Sequence, residues 1–484
     1  MKKILIDPIT RLEGHGKVAI FLNDAGEVEN AYLQIPELRG FERFCIGRKA
    51  EDMPLLTSRI CGVCPVAHHF AGTKALDAAF NVEPPSAAKK LRELMYCGYY
   101  IYDHILHFYY LGGPDFIVGP DAPPEKRNII GVIEEAGLEI GKEVIKHRAY
   151  GQRITELIGG KATHPVCGLP GGISKPLGEE NRQEIEKMAA SSVEFAKFTL
   201  RLFHDIVLGN SKYVDLIKSD AYTLKTYNMG LVDKNNRVNF YDGKVRVVDP
   251  NNNEFTKFEP KDYLNHIAEH VEEWTYVKFP YLKKVGWKGF VDGPNSGVYR
   301  VGPLGRLNAS DGMATPFAQQ EYEAMYKTLG GKPVHSTLAF HWARLIELLY
   351  AAERAIELTN DPEITGTNVR NKPGEPNEGV GITEAARGTL IHHYVLDEDA
   401  LIKDVNLIVA TTNNCPAINM SIRNAAKGLI HRDKVDQGIL NMVEMAFRAY
   451  DPCFGCATHY AVGQMPLTIE IYNAKRQLIR TVQR

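Results

Sequence analysis

The chain has 484 residues, enough to bury a large core in one body or in two to three domains. Its 57 lysines and arginines nearly balance 59 acidic residues, and the net charge of −2 gives no support for binding nucleic acid or an anionic bilayer. "MKKILIDPIT" meets Asp7 and Pro8 too soon to hold the apolar stretch of a signal peptide, and no run is long enough for a membrane span.

Residues 1 to 35 alternate as strands do, in "KKILI" and "GKVAIFLNDAGEVENAYLQI", with a turn at Asp24-Ala25-Gly26. From residue 86 the pattern is helical. "PSAAKKLRELMYCGYYIYDHILHFYYLGG" and "PEKRNIIGVIEEAGLEIGKEVIKHRAYGQRITELIGG" each read as a helix that stops at Gly-Gly. "GEENRQEIEKMAASSVEFAKFTLRLFHDIVLGN" and "HSTLAFHWARLIELLYAAERAIELT" add two more long helices. Between them, residues 220–258 alternate apolar residues with Asn and Gly and read as small hairpins. Residues 362–382 are rich in Gly, Pro and Asn and read as a long ordered loop. A last helix, "KVDQGILNMVEMAFRAY", delivers the chain to Asp451. Neither repeats nor a clear linker stand out. The expected fold is mainly α, of the α+β kind: one large body of long central helices with small peripheral sheets, residues 1–484 forming a single domain.

Eight cysteines are few for this length. Four of them form two CxxC pairs, in "RICGVC" (Arg59 to Cys64) and "DPCFGC" (Asp451 to Cys456), while Cys45, Cys97, Cys167 and Cys415 stand alone and read as buried small hydrophobes. In a reducing compartment such pairs point to metal or redox chemistry rather than disulfides. Zinc in a closed four-thiolate site is one reading, yet zinc ribbons set their pairs about 15–20 residues apart, and here 388 residues separate Cys64 from Cys453. A dithiol redox site needs one pair only and a βαβ setting that "RICGVC" lacks. An iron–sulfur cluster also suits soft thiolates.

The surroundings decide among these. Arg59 precedes the first pair and His68 follows at four residues; Asp451-Pro452 precedes the second and His459 follows at three. The sequence here resembles the large, catalytic subunits of nickel–iron hydrogenases, whose signatures R-x-C-G-x-C-x-x-x-H and D-P-C-x-x-C-x-x-H are both complete, in order and in position. The resemblance covers essentially the whole chain. It implies nickel held by Cys61, Cys64, Cys453 and Cys456. Cys64 and Cys456 would bridge to an iron carrying carbon monoxide and cyanide, and Cys61 and Cys453 would be terminal. The reaction implied is reversible heterolysis of dihydrogen into hydride, proton and electrons.

The same resemblance assigns supporting roles. In "DPITRLEGH", Glu13 would relay a proton from a terminal cysteine sulfur, where a partly buried carboxylate can titrate near working pH; the plain alternative is a solvated strand-end glutamate. In "EAARG", Arg387 would stand over the open face between the metals, bonding a cyanide and polarising dihydrogen. "YDHILHFYYL" sets Asp103 near that arginine, with His104 and His107 one turn apart as packing and hydrogen-bonding groups rather than ligands. Thr411, in "VNLIVATTNN", takes the place of a hydroxyl that donates to cyanide, although family members often have proline where Ala410 stands. Glu42, the Leu407 carbonyl and His459 match the ligands of a magnesium site, whose oxygen donors suit that ion. His68 would hydrogen-bond near a bridging sulfur, and His69 would support it.

Arg59 through Phe80 and "HPVCGLPGGISKPL" look closest to the soluble cytoplasmic group linked to nicotinamide, deazaflavin, ferredoxin or heterodisulfide modules. The chain has no convincing dinucleotide fingerprint and no spare cysteine cluster for an iron–sulfur cluster of its own. The partners implied are a small subunit carrying iron–sulfur clusters, together with further flavin or iron–sulfur electron-transfer subunits. Residues 460–484, containing a strand-like "LTIEIYN", would be an extension that a maturation endopeptidase removes after His459. Two other classes stay open on residue patterns: a quinone-site relative of respiratory NADH dehydrogenase, which generally lacks the four cysteines, and a structural protein stapled by zinc.

Overall fold

The computed structural model describes residues 2–432, 435–459 and 468–483. The N-terminal segment forms an antiparallel meander of β1 (Lys2–Ile6), β2 (Lys17–Leu22) and β3 (Val28–Gln34), in which Lys2 faces Leu22 and Lys17 faces Gln34. Between β1 and β2 an arm of irregular chain, residues 7–16, reaches into the body.

The helices follow. α1 (Pro65–Ala79) starts with Pro65 in its first turn, where a missing N–H costs nothing. α2 (Ser86–Leu106) is buried along most of its circumference, from Leu91 to Ile105, so it serves as the central rod of the body. Its last turn widens into a π-helical stretch, His107–Gly112, before Gly113 and Pro114 stop it. The next expected helix is interrupted. Gly137 adopts φ 97°, which an α-helix cannot continue, leaving a short helix over Ile129–Ala136 and then α3 (Leu138–Gly159). α4 (Glu179–Phe203) and α5 (Phe340–Thr359) complete the bundle; α2 packs on α3, and α5 packs on both α4 and α2.

Residues 220–258 give the expected strands, β4 (Tyr227–Val232), β5 (Lys244–Val248) and β6 (Glu254–Phe258), joined as antiparallel neighbours. The stretch expected as a loop over 362–382 ends earlier than that, because β7 (Glu378–Ala385) starts at Glu378 and pairs with β8 (Gly388–Leu396), which pairs in turn with β9 (Ile402–Ile408). This sheet is not peripheral. β8 is buried at all but one of its positions, and the sheet lies flat on α1. Gly381 permits that contact, since a Cβ there would sit 2.2 Å from the Ala71 carbonyl oxygen.

α6 (Ala410–Leu429) is not legible as a helix in the sequence, yet it runs through the interior between β3 and α7 (Gln437–Arg448). α7 is amphipathic and begins on Asp436, whose side chain accepts the Ile439 N–H at 2.8 Å. The strand expected in the tail is present as Thr468–Tyr472, hairpinned with Leu478–Gln483, and exposed from Glu470 through Ile479. Tyr460, on the far side of the proposed cleavage bond, lies outside the described residues.

Candidate metal centre

Five segments from distant parts of the chain converge on one buried point. They are the N-terminal arm, the loop entering α1, the β7–β8 turn, the start of α6 and the loop after α7. Cys61 and Cys64 sit on a turn that ends at the first residue of α1; Cys453 and Cys456 flank and enter the short helix Phe454–Ala457. Their four sulfurs lie within 4.8 Å of one another. Cys61 Sγ is 3.5 Å from Cys453 Sγ, Cys64 Sγ is 3.4 Å from Cys456 Sγ, and all four residues are at most 4% exposed.

Such crowding forces the thiols to share protons. Cys61 is held well below the usual thiol range, first by its hydrogen bond with Cys453, while burial pushes Cys453 and Cys456 up. The backbone N–H groups of Val63 and Cys64 also point at Cys61 Sγ, at 3.2 and 3.4 Å. A soft metal that takes all four sulfurs replaces those shared protons and relieves the crowding, so the donor set fits one.

Charged groups surround the sulfurs. Glu13 Oε2 accepts from Cys453 Sγ and from the Gly455 N–H, both at 2.9 Å. Burial is the first cause that raises the Glu13 pKa above the ordinary carboxyl value, and the Cys61 charge is the second. Gly14 allows the arm to come this close: a Cβ at its φ of +88° would lie 2.7 Å from the Gly455 nitrogen. Arg387, in the β7–β8 turn, donates to Asp103 Oδ2 at 3.1 Å and pairs with Asp451 Oδ2 at 2.9 Å. Asp103 Oδ1, Asp451 Oδ1 and Arg387 Nε are buried with no hydrogen-bond partner among the described residues. Thr411 Oγ1 accepts the Cys453 N–H at 3.0 Å, which leaves the hydroxyl proton to be donated elsewhere.

A second convergence lies behind Cys456. His459 Nδ1 is 2.7 Å from the Cys456 carbonyl oxygen, and Nε2 is 2.7 Å from that of Leu407. Burial pushes the His459 pKa down to about 4, so the ring is neutral and brings one N–H to two acceptors. Glu42 Oε1 lies 3.8 Å from Nε2 and accepts the Leu407 N–H at 2.9 Å. Glu42 Oε1, the Leu407 carbonyl oxygen and His459 Nε2 thus gather at one point, a donor set that suits a hard cation.

Comparison with known proteins gives the same answer for the chain as a whole. A family model described as nickel-dependent hydrogenase matches residues 39–122 and 143–459. The chain belongs to the nickel-dependent hydrogenases. A HoxL-like model matches residues 3–38 of this hydrogenase. An iron-sulfur subunit of the F420-non-reducing hydrogenase from Archaeoglobus profundus is 49% identical over the full length of both chains. The NAD-reducing hydrogenase HoxS subunit beta of Cupriavidus necator is 38% identical over 99% of each. Among solved structures, an NAD+-reducing [NiFe]-hydrogenase in the H2-reduced state superposes with a TM-score of 0.89 at 38% identity, covering 95% of this chain and all of that one. The hydrogenase is an oxidoreductase acting on hydrogen, and its body is the mainly helical one expected, with small sheets.

The histidines of the hydrogenase are anchored by the fold. The hydrogen bond made by His68 runs from Nδ1 to His392 Nε2 at 3.2 Å, and His392 Nδ1 continues it to the Tyr394 hydroxyl at 2.6 Å. One nitrogen of its ring is thereby tied to β8. His69 bridges the Pro54 carbonyl and the Gly168 N–H, His104 pairs with Glu347 and His107 with the Arg448 carbonyl. Arg59 is exposed. Several site neighbours had no signal in the sequence. Arg39 donates to the Ile60 carbonyl at 2.5 Å and the Gly455 carbonyl at 2.8 Å, clamping the two cysteine loops together. Glu269, with Oε1 buried and without a hydrogen-bond partner among the described residues, and Lys278, 3.2 Å from its other oxygen, stand beside the Glu42–His459 group. The remaining cysteines, Cys45, Cys97, Cys167 and Cys415, are buried free thiols.

Proposed function

We propose that this chain is the catalytic subunit in which Cys61, Cys64, Cys453 and Cys456 hold a nickel–iron centre with carbon monoxide and cyanide on the iron. When bound, that centre supplies the chemistry that splits dihydrogen reversibly into protons and electrons. The observation that carries the reading is the buried set of four sulfurs within 4.8 Å of one another.

The protein's own groups manage charge around that event. Glu13 Oε2, already at the Cys453 sulfur, accepts its proton and returns it in the reverse direction; burial brings its pKa up toward that of a working relay. Arg387 is fixed by two carboxylates, Asp103 and Asp451, so its guanidinium stays charged and aimed beside the sulfurs. Thr411 holds the Cys453 backbone and offers its proton to the diatomic-ligand side. His68 and its partner His392 line the same wall.

Glu42, the Leu407 carbonyl and His459 would hold magnesium or another divalent ion, which ties the chain end at His459 to the body. An endopeptidase cut after His459 would leave this packing intact, because His459 is fully buried while Glu470 to Ile479 are exposed. Electrons leave to an iron–sulfur small subunit, then to flavin or iron–sulfur subunits that are nicotinamide-, ferredoxin- or heterodisulfide-linked. Eight unpaired thiols suit a reducing compartment such as the cytoplasm.

Metal analysis and intact mass of the purified, hydrogen-active complex test the reading together. The expected result is nickel and iron bound to a chain ending at His459, with nickel lost in Cys61→Ser and Cys453→Ser. Zinc in their place would overturn the metal assignment, and a full-length active chain would overturn the cleavage.

A further inference from the structure

A second buried polar cluster lies beside the metal centre, and nothing in the chemistry above uses it. Asp115, Arg448, Asn441 and Glu444 are each at most 6% exposed. Arg448 Nη1 donates to Asp115 Oδ2 at 2.7 Å and Nη2 to Glu444 Oε2 at 2.7 Å. Arg11 donates to Asp115 Oδ1, to Asn441 Oδ1 at 2.9 Å and to the Leu111 carbonyl at 2.9 Å. Asn441 Nδ2 returns a bond to Asp115 at 3.0 Å. Two cations thus face two anions.

The cluster grips the arm by its backbone as well as its side chains. The Thr10 N–H and hydroxyl reach Glu444 at 3.1 and 3.0 Å, and the Thr10 carbonyl accepts from Arg448 Nη2 at 3.4 Å. Arg11 itself sits at φ 57°, a left-handed conformation that its side-chain anchors hold in place. On one side of the cluster the chain runs through Leu12 to Glu13. On the other it runs from Arg448, the last residue of α7, to Cys453. The two chain segments that carry the Glu13–Cys453 pair are therefore clamped at one place, a few residues from the pair. A buried ionic network is poor evidence for stability, since apolar packing does that work with less desolvation; what it adds is directional registry.

We propose that the Arg11–Asp115–Glu444–Arg448 cluster is the positioning device of the proton-accepting site, fixing the arm against the segment after α7 so that Glu13 Oε2 stays at 2.9 Å from Cys453 Sγ. This rests on the reading of Glu13 given above. Its residues touch no reacting atom and act through the arm. Loss of the register would slow the proton step without loosening the metal, because proton transfer is steep in distance, Cys61 and Cys64 lie on the loop entering α1, and Arg39 ties that loop to the one carrying Cys453 and Cys456.

The test uses the complete purified complex. Glu444→Gln turns an amide nitrogen toward donors that now meet an oxygen, Asp115→Asn does the same opposite two arginines, and Thr10→Val removes one hydroxyl bond. The first readout is the infrared C=O band of the protonated Glu13 side chain, assigned by its absence in Glu13→Gln. The expected results are a shift of that band and a fall of about tenfold in kcat for hydrogen oxidation, with KM for hydrogen and nickel content unchanged. In a Glu13→Gln background the same substitutions should lower turnover no further. An unshifted band, or losses that multiply with that of Glu13→Gln, would overturn the proposal. If Glu13→Gln turns over like the parent, the reading of Glu13 fails, while the band still decides the positioning role. Should Asp115→Asn not fold, Glu444→Gln and Thr10→Val carry the test.

Discussion

Arg387 shows how a single side chain depends on geometry rather than charge alone. Its two terminal nitrogens are committed to Asp103 and Asp451, and burial of Asp451 raises that carboxyl to about 7 against the pull of the arginine. A lysine would bring the charge without the planar fork that spans both carboxylates. Arg387→Lys should therefore keep nickel but lower hydrogen turnover by about 100-fold, the scale set by losing one aimed donor in a dry site. Turnover within a factor of about two of the parent would contradict the role. The residues that a motif could announce were legible: each CxxC is local, and its flanking histidine and Asp-Pro travel with it. Arg39, His392, Glu269 and Lys278 acquire meaning only when distant segments meet, and an isolated arginine in "ELRGFERF" carries no trace of the loops it will clamp.

Among the elements, the amphipathic helices were plain because apolar residues recur at helical spacing, as in α4 and α7. α6 was not. Thr411 to Asn414 and Pro416 break the apolar pattern, and the helix forms because its surroundings satisfy those polar groups: Asn413 donates to the Thr389 carbonyl and Asn414 to that of Arg387. Site chemistry and helix propensity conflict there, and tertiary bonding wins. The interior sheet was hidden for a related reason, since Gly379 and Gly381 weaken a strand pattern yet are what allows β7 to lie on α1. Arg39 ties together the two buried loops that carry the cysteines. Arg39→Ala should speed hydrogen exchange of the 60–64 and 453–456 amides by about tenfold, the loss of two charge-assisted bonds discounted for the exposure of Arg39. Unchanged exchange in both loops would show that they hold themselves.

For the molecule as a whole, folding must bring the first and last parts of the chain together around buried polar groups, several of them imidazoles. Burial pushes His69 and His104 down to about 4 and His341 to about 3, from an ordinary value of 6.5. Each folded-state pKa is depressed, so below pH 6.5 the unfolded chain takes up protons that the folded one refuses. Their stability contribution is complete above pH 6.5 and is lost as pH falls toward 4, by up to about 3 kcal/mol per imidazole. The unfolding midpoint should accordingly fall steeply between pH 6.5 and 4; a midpoint that is flat over that range would contradict the neutral buried state.

The same convergence creates the four-sulfur pocket, from which the proposed chemistry follows. Infrared spectroscopy of the purified, hydrogen-active complex in the carbon monoxide and cyanide stretching region decides whether that pocket holds the proposed centre. Bands from both ligands, absent in Cys64→Ser and Cys456→Ser, are expected. A spectrum empty in that region from an active preparation would refute the assignment.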